Sequence, residues 1–109
     1  MQEAKTYSAK LDQGGALSDL RLFANRAGES VATDASGRVY IANGQVFIYA
    51  RDGRELGRID VPERPLQVVS GRGNLFILTN VALYSVDLAE VRKHAGAPVG
   101  RHDVGRRYR

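Results

Sequence analysis

Cysteine is absent from this 109-residue chain, which removes disulfide frameworks, thiolate zinc sites and cysteine nucleophiles together. The same absence takes away redox chemistry as a guide to compartment, so cytoplasmic and exported locations both stay open. Long apolar runs are missing too. None approaches the ~18 residues of a membrane-spanning helix, and the opening MQEAKTYSAK has no signal-peptide core. A soluble chain without a membrane partner is expected. No Gly-x-Ser-x-Gly elbow surrounds Ser18, Ser30 or Ser36, so serine-hydrolase chemistry has no support. Gly71-Arg72-Gly73 is too short to cradle a phosphate and is not followed by a helical pattern, which makes it a hairpin connection.

What is present is ordinary globular composition, 43% hydrophobic and 26% charged, in a length that buries roughly 60–70% of its unfolded surface. The net charge of +4 gathers at one end. Arg92, Lys93, Arg101, Arg106, Arg107 and Arg109 stand there against Asp103 alone, with His94 and His102 among them. A basic tail of this kind can bind nucleic acid. No aromatic platform accompanies it, so a solvated terminus is the better reading and no nucleic-acid partner is expected. The two histidines lack a third ligand to make a metal centre. His102 and its neighbour Asp103 would point to opposite faces of a strand.

Before Asp87 the pattern is short alternating runs rich in β-branched and aromatic residues, separated by glycine turns. Strands are predicted at 6–11, 17–24, 30–33, 39–43, 46–50, 56–61, 66–70, 75–79 and 83–88. Asn43-Gly44 between two apolar runs predicts a type I′ hairpin, which needs positive φ at both central residues. Asp52-Gly53 does the same one hairpin later. Asp34 and Asp52 precede turns, where the carboxylate bonds its own backbone. Arg64, between Pro62 and Pro65, belongs to a connector.

The strands repeat. Gly37-Arg38-Val39-Tyr40-Ile41 falls on Gly73-Asn74-Leu75-Phe76-Ile77 at a shift of 36, and Val46-Phe47-Ile48-Tyr49 on Leu83-Tyr84-Ser85-Val86 at 37. A period near 40 with four strands each is a β-propeller signature. At a shift of 43, residues 53–64 lie over 96–107 with six of twelve positions identical, so 99–104 reads as an outer strand reached past one or two helical turns at 88–94. The expected fold is all-β, antiparallel, with about two and a half four-stranded blades. Residues 1–27 give the outer strands of a first blade, 28–64 a complete blade, and 65–109 a last blade. Unclosed blades expose apolar faces and sheet edges, so the expected partners are remaining blades or another copy of the chain.

The segment Val31-Ala32-Thr33-Asp34-Ala35-Ser36-Gly37-Arg38-Val39-Tyr40-Ile41-Ala42 resembles the regucalcin and gluconolactonase family of six-bladed propellers. The family pattern is Pro-Asp-Gly, three mostly apolar residues, Asp, two residues, Gly, then an apolar-aromatic strand. The likeness continues through Val46-Phe47-Ile48-Tyr49, Asp52-Gly53, Leu75-Phe76-Ile77 and Leu83-Tyr84. It covers roughly residues 5–88 and corresponds to the C-terminal third of a family member. The resemblance implies a metal-dependent lactone or ester hydrolase, with a calcium or zinc ion at the top of the central channel. Glu29, in Gly28-Glu29-Ser30, takes the place of the Asp of Pro-Asp-Gly. The resemblance makes it metal ligand and catalytic proton-transfer group, one methylene longer than the family residue. An early Glu and two Asn that complete the family's ligand set have no counterpart here. The fragment alone is therefore expected to be inactive. The alternative is a non-catalytic scaffold that self-associates through unpaired blade faces.

Overall fold

The computed structural model of the chain describes residues 5–93 and 107–108. The described residues are all-β apart from one short helix. β1 (Thr6–Leu11) and β2 (Leu17–Ala24) form a hairpin. β3 (Ser30–Thr33), β4 (Val39–Asn43), β5 (Gln45–Tyr49) and β6 (Glu55–Ile59) form a four-stranded antiparallel meander. A second meander follows in β7 (Gln67–Gly71), β8 (Asn74–Leu78) and β9 (Leu83–Asp87), with α1 (Leu88–Lys93) leading away. The fourth strand beside β9 is β10 (Arg107–Tyr108). The outer strand expected at 99–104 lies outside the described residues, as do His94 and His102. No helix among the described residues is long and apolar enough to cross a membrane.

Turn chemistry sets the registers. Gly15 donates to the Asp12 carbonyl (3.1 Å), Gly37 to Asp34 (3.0 Å) and Gly53 to Ala50 (2.9 Å), each glycine at positive φ. This is the type I turn closed by a left-handed residue, the common alternative to the two-residue hairpin loop. The type I′ expectation at Asn43-Gly44 is corrected. Asn43 pairs directly with Gln45 and only Gly44 has positive φ. Asp52-Gly53 departs from it in the same way, since Gly53 alone is left-handed there. The turn with two left-handed residues is Arg72 (φ 53°) and Gly73 (φ 78°), between the paired Gly71 and Asn74.

The two meanders stack face to face. Tyr40, Ala42, Val46, Ile48 and Ile59 from one meet Val68, Leu75, Ile77, Tyr84 and Val86 from the other in one buried cluster, closed off by Leu88 and Val91 of α1. Full burial of such side chains is worth about 1.5–3 kcal/mol each. At the β3–β7 edge the sheets also touch through polar groups. Val68 N–H donates to Ser30 Oγ (3.0 Å), Ser30 Oγ in turn to the Val68 carbonyl (3.4 Å), and Ser70 Oγ to the Thr33 carbonyl. Ser30 meets Val68 and Thr33 meets Ser70, so β3 and β7 run parallel. The opposite face of the first meander carries Val39, Ile41, Phe47 and Tyr49, covered by Phe23 and Ala24 from the end of β2. Phe23 meets Tyr49 edge-on, with centroids 6.0 Å apart.

The hairpin itself is amphipathic. Tyr7 faces Leu22 and Leu11 faces Leu17 across its ladder, and Leu20 lies two residues from Leu22 on the same side. Strict alternation would put Leu17 and Leu20 on opposite faces. One extra residue, Asp19 at φ 52°, forms a bulge opposite Ala9 and restores them to one face. The Asp19 carboxylate pairs with Arg21 (3.1 Å) and Lys10 (3.6 Å). The apolar face is uncovered: Leu11 and Leu17 are 71% exposed and Leu20 68%.

Candidate functional site

Glu29 is placed by a close backbone approach. A Cβ on Gly28 would lie 1.9 Å from the Ala42 carbonyl oxygen, so only glycine lets the chain pass there. Glu29 N–H then donates to that same carbonyl at 2.9 Å, extending the β3–β4 ladder by one bond. Asn43 Nδ2 holds the approach from the other side through the Ala27 carbonyl (2.6 Å). Glu29 thus stands at the start of β3, at the end of the sheets where the β6–β7 connection also passes.

That connection supplies its partner. Arg64 donates from Nε to Glu29 Oε1 at 2.9 Å, and its Nη2 reaches the same oxygen. The side chains are 40% and 66% exposed, so the pair is worth no more than about 1 kcal/mol. Chemically it is a solvated carboxylate with one oxygen engaged by a guanidinium and, among the described residues, no partner on Oε2. A divalent cation prefers several oxygens together. Among the described residues no group of three or more His, Cys, Asp or Glu is placed to hold one. The nearest carboxylate in sequence on that connection, Glu63, turns instead to the second sheet. It accepts from Tyr84 Oη (2.9 Å) and Thr79 Oγ1 (3.0 Å). Glu29 alone therefore fits the cation only as one ligand of a set completed by other residues.

A denser constellation lies at the other end of β3. Asp34 Oδ1 accepts from Ser36 Oγ (2.7 Å), Ser36 N–H (2.9 Å) and Arg38 N–H (3.0 Å). Its Oδ2 accepts from Tyr40 Oη (2.7 Å) and Arg38 Nε (3.0 Å). The Asp34 side chain is only 3% exposed and that of Arg38 11%. Burial by itself would raise the Asp34 carboxyl. The hydrogen bonds from Ser36, Tyr40 and the Arg38 backbone, with the Arg38 charge, outweigh it and hold the group at about 2. Burial first, and then the bond to Asp34, push the Tyr40 phenol up to about 12. The carboxylate's acceptor sites are filled by this chain's own donors, which makes the cluster a clamp on the β3–β4 turn. Beyond it a cleft of about 180 Å³, lined by Ser36, Ser70, Arg72 and Leu88, separates this turn from the β7–β8 turn.

A third cluster joins the hairpin to the first meander. The Arg26 guanidinium lies 3.6 Å from the Phe47 ring centroid and donates to Tyr49 Oη (2.7 Å) and Glu55 (3.2 Å). Burial raises the Tyr49 phenol, against the pull of the Arg26 charge. Beside it is a cleft of about 320 Å³ lined by Leu22, Phe23, Asn25 and Glu55.

Of the residues singled out in the sequence, Glu29 and Arg64 are brought together across 35 positions. The turn role of Asp34 and Asp52 holds, with Arg54 N–H bound to Asp52 Oδ1 at 3.1 Å. Sequence reasoning did not find the partners Arg38 and Tyr40. The signal was Asp34, Arg38 and Tyr40 straddling a glycine turn, which brings the first and last to the same end of a hairpin. No family model, curated protein or solved structure matches this chain.

Proposed function

We propose that this chain is a run of propeller blades, a scaffold that acts by completing a ring with further blades. The observation that carries this reading is the β3–β7 seam. Two four-stranded meanders meet along parallel first strands tied by Ser30 and Ser70, with the apolar wedge of Tyr40, Ile48, Ile77 and Tyr84 between their later strands. In a propeller, blades radiate from innermost strands about a central channel. The hairpin then supplies the two outer strands of a preceding blade. Because the chain has no cysteine, introduced thiols can carry spin labels without background. Labels at Val31 and Val69, on the first strands, are expected to lie several Å closer than labels at Arg58 and Ser85, further out on the same faces. Equal separations would mean two flat layers of a sandwich and sink the blade reading.

A second reading, as part of a metal-dependent lactone or ester hydrolase, is favoured by one observation. Glu29 stands at the start of β3, the innermost strand in the blade reading, with no partner on Oε2 among the described residues, in the position the family resemblance gives its calcium or zinc ligand. The cation would polarise the substrate carbonyl once the remaining ligands arrive from other blades. The expected result for this chain alone is no calcium- or zinc-dependent lactone hydrolysis above the uncatalysed rate. Turnover that disappears in Glu29→Ala would show instead that the chain carries a working site unaided.

A further inference from the structure

We propose that the apolar face of the β1–β2 hairpin docks on a second copy of this chain, against the outer face of that copy's β7–β10 sheet. The inference rests on the blade reading and names the partner that completes the ring. The two meanders stack on each other, the hairpin reaches the first of them through Phe23 and Ala24, and apolar side chains stay exposed at both ends. At one end the hairpin presents Tyr7, Leu11, Leu17, Leu20 and Leu22, each more than half exposed. At the other, the register of β7, β8 and β9 puts Val69, Phe76, Leu78 and Leu83 on the side away from the shared core. Val69 is 51% exposed and Leu78 42%.

Both faces are uncharged at their centres. The hairpin's charges, Lys10, Asp19 and Arg21, pair with one another away from the leucines. On the far sheet Asp87 lies at the strand end, bonded to the Ala89 N–H. Each face can be covered by the other without stranding an ion. The contact would repeat the one already inside the chain, where the first meander lays an aliphatic face on the second.

Area separates this arrangement from a symmetric hairpin-on-hairpin contact. Five side chains at on the order of 100 Å² each give about 500 Å² per copy. Two identical hairpin faces would bury about 1,000 Å² in total, the floor for a specific interface. Reciprocal head-to-tail docking covers the hairpin and the far sheet of both copies, roughly doubling that. With the two copies related by a two-fold axis, each contact is matched by its reciprocal, so the pair closes instead of extending into a filament.

Sedimentation velocity of the 109-residue chain over about 1–100 µM tests this. The expected result is a monomer–dimer equilibrium shifted to monomer about tenfold or more by Leu20→Lys, and equally by Val69→Lys. Both sites are exposed, so thermal melts of samples dilute enough to be monomeric should match the parent. Mixing the two variants is expected to bring back part of the association, because one of the two reciprocal contacts, the hairpin of one variant on the far face of the other, remains intact in the mixed pair. A parent chain that stays monomeric overturns the proposal. Loss of dimer with Leu20→Lys but not Val69→Lys overturns it in favour of a hairpin-on-hairpin contact. A mixture that associates no more tightly than either variant alone overturns it as well. In each of these cases the spin-label distances still judge the blade reading separately.

Discussion

Asp34→Ala is expected to cost about 3–4 kcal/mol of folding stability, because it leaves the buried Arg38 guanidinium and Tyr40 hydroxyl without their acceptor. For a domain of this size that lowers the melting temperature by about 15 °C. Five donor contacts converge on that one carboxylate, from Ser36, Arg38 and Tyr40. The loss should shrink in an Arg38→Met background, since no buried cation is then stranded. The expected coupling between the two positions is about 1–3 kcal/mol, read as the difference between the two Asp34→Ala costs in denaturant titrations. A single-mutant loss under about 1 kcal/mol would mean that water reaches the cluster and satisfies it.

The same cluster should set both edges of the pH range of stability. Asp34 ionises at about 2 in the folded chain against 3.8 for a free side chain. Its contribution is therefore whole above about pH 4 and lost as pH falls through 2. Tyr40 moves the other way, from 10.0 to about 12, so its contribution is whole below pH 10 and lost as pH rises through 12. At 1.36 kcal/mol per unit, each limb is worth about 2–3 kcal/mol. Unfolding free energies across the range should show a plateau between these limbs. Asp34→Asn is expected to flatten the acid limb and Tyr40→Phe the alkaline one, each measured as a difference from the parent. An acid limb unchanged in Asp34→Asn would assign that loss to other carboxylates.

The ladders were legible in the residues because alternation and glycine turns act over a few positions. β1 through β4 match the predicted spans, and their turns carry the hydrogen bonds that Asp and Gly in those places provide. Misreadings came where local chemistry permits two answers. Asn43-Gly44 can form a type I′ loop, yet Asn43 continues the ladder and Gly44 turns alone. The I′ loop sits at Arg72-Gly73, where a non-glycine residue takes the costly left-handed place that its sequence does not advertise. The candidate site was less legible than the fold. That Glu29 stands at the start of a strand could be read from Gly28 and the strand after it. That Arg64 reaches it depends on where the connection between two sheets runs, which no local pattern encodes.

Strand order carries a consequence for how the chain folds and how its length can change. Each strand from β1 to β9 that pairs does so with a neighbour in the chain, and only β10 returns to β9 from further along, so most loops that must close before a ladder forms are short. Among all-β proteins such local pairing favours rapid folding. Slow steps are then left to the docking of one preformed meander on the next along the Ser30 and Ser70 bridges. A chain built this way can gain or lose a whole layer by duplicating or deleting a segment such as 28–64, with no new ladder to invent. Its thermodynamics should follow the near-neighbour additivity of repeat proteins, each added layer contributing its own folding free energy and one more seam.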